Sequence, residues 1–201
     1  MNDDRLEQME EISARVQNLE ESPLYRYRNE HHYKPVVGEG DLRASILFIG
    51  EAPGLQEAKS GRPFVGASGR VLDELIESIG LERKDVYITN IVKDRPPENR
   101  DPTLEEIDLY APFLVQQIEI LRPPVIATLG RFAMDFILDL FHLPQVGEKI
   151  SQLHGKVIEA ETSYGKAAIV PLFHPAVALY NREQRSTLEK DFQTLKQVIK
   201  S

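Results

Sequence analysis

Four stretches carry residues fit for chemistry. Residues 48–54 read FIGEAPG: an apolar run ends in Glu51, on a turn stiffened by Pro53 and loosened by Gly50 and Gly54. The glycines permit close approach of backbone to a ligand, and the proline fixes the loop shape. Residues 61–69, GRPFVGASG, set Phe64 in a loop ahead of a helical pattern, where an aromatic ring can stack on a planar ligand. Residues 89–102, TNIVKDRPPENRDP, place the amide of Asn90 near the end of an apolar run. A rigid loop bearing Arg95 and Arg100 follows. A carboxamide has one donor and one acceptor and can read the edge of a base, while arginines can hold phosphates. Residues 173–176, FHPA, end the last apolar run in His174, held by Pro175. An imidazole there can donate to a developing anion.

Each stretch also has a plain structural reading. GEAPG alone is equally a tight turn with a solvated glutamate. Phe64 alone is equally a core plug. Asn90 can satisfy nearby backbone, Arg95 and Arg100 can pair with Glu98 and Asp101, and a lone histidine is more often structural. His31, His32, His142 and His154 show no convincing metal spacing with acidic neighbours. The glycine turn is not GxGxxG, which leaves a dinucleotide site with little support.

The elements that must hold these residues are legible as patterns. Continuous apolar runs at 45–50, 86–92, 123–129 and 167–173 read as strands covered on both faces. Helical spacing appears at about 3–20, 68–79, 103–120, 130–141 and 187–200. Ser68 is a candidate N-cap, Gly80 a stop, and Thr103 with Glu106 a capping box. Residues 23–44 read as loop, with the unusual patch YRYRNEHHYK. Strand and helix alternate, which predicts an α/β fold: three layers, α/β/α, around a mainly parallel four-stranded sheet. One domain spans 1–201, with 1–44 as an N-terminal helix and arm packed on it. In such sheets ligands bind beyond the carboxyl ends of the strands. That rule gathers Glu51, Asn90, Gly130-Arg131 and His174 at one rim.

Composition narrows the class. The chain has 201 residues, 41% apolar and 28% charged, enough for a sizeable core. It has no cysteine, which excludes disulfides, thiolate metal sites and cysteine-held clusters. No run is long enough to span a membrane, and the acidic start MNDDRLEQMEE lacks the order of a secretory signal. A soluble cytoplasmic protein is expected. A net charge of −8 argues against a nonspecific coat on nucleic acid and leaves room for a local basic groove.

Taken in order, GEAPG, GRPFVGASGRVLDEL, YITNIVKDRPPENRDPTLEEI and FHPA resemble the uracil-DNA glycosylase superfamily, most closely its family 4. The resemblance covers about residues 19–198. It implies a DNA repair enzyme that flips uracil out of DNA and hydrolyses its N-glycosidic bond, acting as a monomer on uracil-containing DNA without a membrane. By the same resemblance, Glu51 positions or activates water, Phe64 stacks on the flipped base, Asn90 reads its O4 and N3 edge, and His174 binds O2. Gly50, Ala52 and Gly54 line the base pocket. Gly54 stands where other relatives carry a bulky aromatic that excludes the thymine methyl, and Ala52 where they carry an aspartate. Arg95 and Arg100 are implied DNA contacts. Leu179 is the implied wedge, with Val177 and Tyr180 as rivals.

Family 4 typically holds a 4Fe-4S cluster on four cysteines. Those positions fall on Leu19, Ser22, Asp94 and Tyr110, so no cofactor is expected and the arm is expected to be held by packing. EHHY is extra relative to the family. No KRRIH-like insertion of the covalent DNA-binding offshoot is present. A non-catalytic DNA- or partner-binding relative, or a glycosylase for another deaminated base, also fits the set.

Overall fold

The computed structural model describes residues 4–199. Residues 3 and 200, the outer ends of two expected helices, lie outside the described residues. The first half of the chain contains α1 (Arg5–Gln17), α2 (Pro23–Glu30), β1 (Glu39–Gly40), β2 (Ile46–Gly50), α3 (Leu55–Ser60), α4 (Ala67–Ser78) and β3 (Tyr87–Asn90). The second contains α5 (Leu104–Leu121), β4 (Val125–Leu129), α6 (Arg131–Leu140), α7 (Ile150–Leu153), β5 (Ile158–Thr162), β6 (Gly165–Leu172) and α8 (Arg182–Val198).

The four apolar runs became the four parallel strands, in the order β3-β2-β4-β6. Each is covered on both faces. In β2, Leu47 and Ile49 face a layer that holds α1, α5 and α6, whereas Ile46 and Phe48 face α4 and α8. Side chains alternate across a strand, so one five-residue run feeds two cores. The result is a three-layer α/β/α fold.

The sheet has six strands among the described residues, not the expected four. Antiparallel edges were added: β1 beside β3 and β5 beside β6. Neither is a continuous apolar run. β1 is two residues long, and β5, IEAET, alternates buried and solvent-facing positions because only one of its faces is covered.

Other expectations need correction. Residues 23–30 form a helix, not loop: Pro23 takes its first turn and Ser22 Oγ accepts from Leu24 N. The helix expected from Ser68 is capped by Gly66, and Ser68 lies inside its first turn. The final helix starts at Arg182, capped by the Asn181 side chain, five residues ahead of the expected 187. The Thr103–Glu106 capping box is present.

The arm is held by more than packing. Met9, Ile12 and Val16 of α1 are buried, and α1 packs on α5. Behind them lies a polar network of Arg28, Asp94, Tyr110 and Ser22. Arg28 is 2% and Asp94 1% exposed, and Arg28 Nη1 reaches the two carboxylate oxygens at 2.9 and 3.1 Å. The same guanidinium donates to the carbonyls of Val16 and Gln17. Tyr110 donates to Asp94 at 2.6 Å and shares a 3.0 Å hydrogen bond with Ser22 Oγ.

Candidate active site

The parallel strands end together. Gly50 is in register with Asn90, and Leu129 with Leu172. The chain steps from β2 outward to β3, then returns to lay β4 on the other side of β2. That reversal opens a crevice at the carboxyl ends, where α/β sheets bind ligands. Glu51 follows one of these strands and Arg131 opens the helix after the other.

A cavity of about 170 Å³ sits there, lined by Ala52, Gly54, Glu57, Phe64, Ser68, Asn90 and His174. It is smaller than the roughly 300 Å³ at which drug-sized sites begin, and suits a small flat ring. Five expected site residues meet in it. Gly50 lies beneath: a Cβ there would stand 2.4 Å from Asn90 Oδ1 and 2.7 Å from Phe64 Cζ. The missing side chain is what lets the amide and the ring converge.

Asn90 is 1% exposed, and its Oδ1 has no hydrogen-bond partner. Buried polar atoms are nearly always paired, so an orphan facing a cavity marks a ligand position. The backbone behind it is fixed. Lys93, fully buried, donates from Nζ to Asn90 O at 2.7 Å, to Gln117 Oε1 at 2.6 Å and to Thr89 Oγ1 at 2.8 Å. Burial drives the Lys93 pKa well below that of an ordinary lysine.

Phe64 is buried with φ +48, a left-handed backbone uncommon outside glycine. Two clamps hold it. Arg83 donates to the carbonyls of Phe64 and Pro63. Glu57 Oε1 accepts from Val65 N and Gly66 N at 2.9 and 2.8 Å. Gly69 is required here as well, since a Cβ would collide with Phe64 O at 1.9 Å.

His174 Nδ1 accepts from Ala176 N at 3.2 Å, which puts the neutral ring's proton on Nε2. Burial pushes its pKa down to about 4, against a smaller opposing pull from Glu57. The group is therefore a neutral donor at pH 7. Glu51 is half-buried and does not line the cavity, although its neighbour Ala52 does. Burial raises its pKa to about 7; Asp101 pushes the same way and Arg131 opposes.

Sequence reading missed Glu57, Lys93 and Asp101 as site residues. Glu57 lies on the polar side of a six-residue helix and offered no motif. Arg100 is committed elsewhere: it forms a two-pronged pair with Glu106 at 2.6 and 2.8 Å, inside the helix cap. Arg95 donates to Asn99 Oδ1 and to the hydroxyls of Tyr27 and Tyr33. Leu179 is part-buried and packs against the core, whereas Tyr180 beside it is 96% exposed.

The positions that the resemblance assigns to cluster ligands carry side chains that do not fit a 4Fe-4S group. Tyr110 links Ser22 and Asp94 by hydrogen bonds to each, and Arg28 pairs with Asp94. Among the described residues no group of His, Cys, Asp and Glu is placed to hold a metal ion. No described helix is long and apolar enough to cross a membrane.

Comparison with known proteins shows the family. The model of the uracil DNA glycosylase superfamily matches residues 37–199. The chain is 43% identical to a type-4 uracil-DNA glycosylase of Archaeoglobus fulgidus over 190 residues, 94% of this chain and 92% of that one. It is 42% identical to the type-4 enzyme of Thermotoga maritima over 200 residues, 98% of this chain and 97% of that one. A type-5 enzyme of Pyrobaculum aerophilum is 32% identical over 154 residues, 69% of this chain and 66% of that one. The chain belongs to the uracil DNA glycosylase superfamily, in the company of its type-4 members.

Proposed function

We infer that this protein is a DNA-repair glycosylase that hydrolyses the bond between uracil and deoxyribose, acting as a cytoplasmic monomer and a single domain. The observation that carries this is the orphaned carboxamide oxygen of Asn90 in a cavity walled by Phe64 and His174. Uracil presents one donor, N3–H, beside one acceptor, O4. A carboxamide matches both at once. Phe64 supplies the stacking face for a base taken out of the helix.

The chemistry follows from the charges. The bond from N1 to C1′ breaks with its electron pair going to uracil, leaving an oxocarbenium-like sugar. His174 Nε2–H stabilises the anion by donating to O2, as a neutral donor held in place before the charge develops. Glu51, ionised, stabilises the sugar cation and orients a water onto C1′. One proton leaves that water and one ends on uracil. A carboxyl poised at about 7 suits a base working near neutrality.

Glu57 takes the role that Gly54 leaves open. Its Oε2 lies 2.8 Å from where a Cβ on Gly54 would stand, so a carboxylate occupies the space of the missing side chain. It excludes the thymine methyl. Tyr180, rather than Leu179, is free to enter the stack as the wedge. Arg95 contacts the DNA backbone, and the protein works without the family's cluster because Arg28 and its partners staple the arm instead.

A labelled oligonucleotide with one uracil tests the reading. Incubated with protein and chelator and then treated with alkali, it is cleaved at the uracil. An uncleaved strand on both single- and double-stranded substrate, with folded protein, overturns it and favours a binding-only relative.

A further inference from the structure

The extra segment around EHHY has no part in the chemistry above, yet it builds a surface. Tyr27 and His31 lie one helical turn apart with ring centroids 4.1 Å from each other. His31 and Tyr33 stack at 5.4 Å and 23°. Between them His32, at φ +55, turns the chain left-handed. The His31 Nδ1 donates to the Tyr27 carbonyl at 2.9 Å, and Tyr27 and Tyr33 also meet edge to face at 6.1 Å, so the three rings form one cluster. Arg95 joins it. Its Nη1 is 3.3 Å from the Tyr27 hydroxyl and 3.3 Å from that of Tyr33, and its Cζ is 5.5 Å from the Tyr33 centroid.

These rings are not core. His31 is exposed, and Tyr27 and Tyr33 are only part-buried. Arg95 makes no ion pair among the described residues, and its Nη2 has no hydrogen bond there. Its charge is met only by neutral partners, the Asn99 amide and the two tyrosine hydroxyls, in a chain of net charge −8. The next residues tie this surface to the cavity. Lys34 N donates to Ala58 O, one residue past Glu57, and Val36 N donates to Lys93 O, behind Asn90. The cluster is therefore spliced between the two segments that wall the base pocket.

We propose that Tyr27, His31, Tyr33 and Arg95 form a stacking platform for unpaired nucleotides of the strand that carries the uracil. Part-exposed aromatic rings beside a cation can bind single strands because every base has a stacking face. Duplex bases are already stacked and cannot use the rings, so the platform favours single-stranded over paired DNA. It rests on the reading of the cavity as a uracil site only for the identity of that strand.

The test uses uracil-free DNA, so it reads the platform independently of excision. Binding of labelled oligothymidylate and of a matching duplex is followed by fluorescence anisotropy for the wild type, a Tyr27→Ala/Tyr33→Ala pair and a Tyr27→Phe/Tyr33→Phe pair. The alanine pair is expected to bind the single strand about ten-fold more weakly, the phenylalanine pair to recover most of it, and duplex binding to stay within about two-fold. On single-stranded uracil substrate the alanine pair raises KM and keeps kcat. Thermal melts confirm that the variants fold. Equal single-strand affinity for the wild type and the alanine pair overturns the platform, even if uracil excision persists. So does equal loss on both DNA forms, or a phenylalanine pair as weak as the alanine pair.

Discussion

The ring of Phe64 stands 5.7 Å from the ring of His174, tilted by 33°. In the proposed reaction one is the stacking face and the other the neutral donor, and they wall one cavity from distant segments of the chain. Removing the donor should affect chemistry more than binding. His174→Ala is expected to lower kcat about 10²–10³-fold with little change in KM. Single-turnover rates beside DNA affinities check this.

The proposed mechanism assigns the pH profile to Glu51, not to the histidine. His174 titrates near 4, below the working range, whereas Glu51 titrates near 7. The proposed mechanism needs the ionised carboxylate, so kcat should rise through about pH 7 with one ionisation. Asp101→Asn removes a negative neighbour and moves the limb to lower pH. Arg131→Leu removes a positive one and moves it up. Profiles of the three proteins decide this.

Stability carries the same signature with the opposite sign. The folded-state pKa of Glu51 is raised from 4.5 to about 7, so the native state holds its proton more tightly than the unfolded chain. That stabilisation is complete below the unfolded value and is lost as pH rises through 7. Glu51→Gln should melt higher than the wild type at pH 8 but not at pH 4.

Gly50→Ala probes the convergence of Asn90 and Phe64. A methyl group 2.4 Å from one and 2.7 Å from the other forces at least one to shift. Displacement of reacting groups by about 1 Å costs on the order of 10²-fold in rate. Excision should fall by that order, and overpacking of the buried strand should lower the melting temperature by a few degrees, on the order of 1–3 kcal/mol.

The arm depends on a buried ion pair. Arg28→Met leaves Asp94 buried with only Tyr110 as partner, and breaking such a pair costs about 3–5 kcal/mol. The melting temperature should drop by about 10 °C. Thermal unfolding of the variant and of Asp94→Ala measures it.

The sequence made the central layer legible because parallel strands covered on both faces must be apolar throughout. ILFIG and VIATL could be little else. The edges were hidden for the converse reason: IEAET spends alternate positions on solvent, and Glu39–Gly40 is too short to show a period. Within the site, Phe64, Asn90 and His174 stood out because a polar or aromatic residue closes an apolar run or sits in a glycine loop. Glu57 and Lys93 did not. A charged residue on a short helix looks solvated, and only the fold shows that one carboxylate caps Val65 and Gly66 and that the ammonium is fully buried. The replacements at Asp94 and Tyr110 were visible as substitutions, but their bond to each other and to Arg28 needed three distant segments in place at once.

Release of free uracil from a single-stranded oligonucleotide in single turnover, by wild type and Glu51→Gln at pH 8, is the most direct measurement. Uracil set free by the wild type, and about 10²–10⁴-fold more slowly by the variant at unchanged DNA affinity, is the expected result. Equal rates would remove Glu51 from the reaction, and no release by the folded wild type would contradict uracil excision itself.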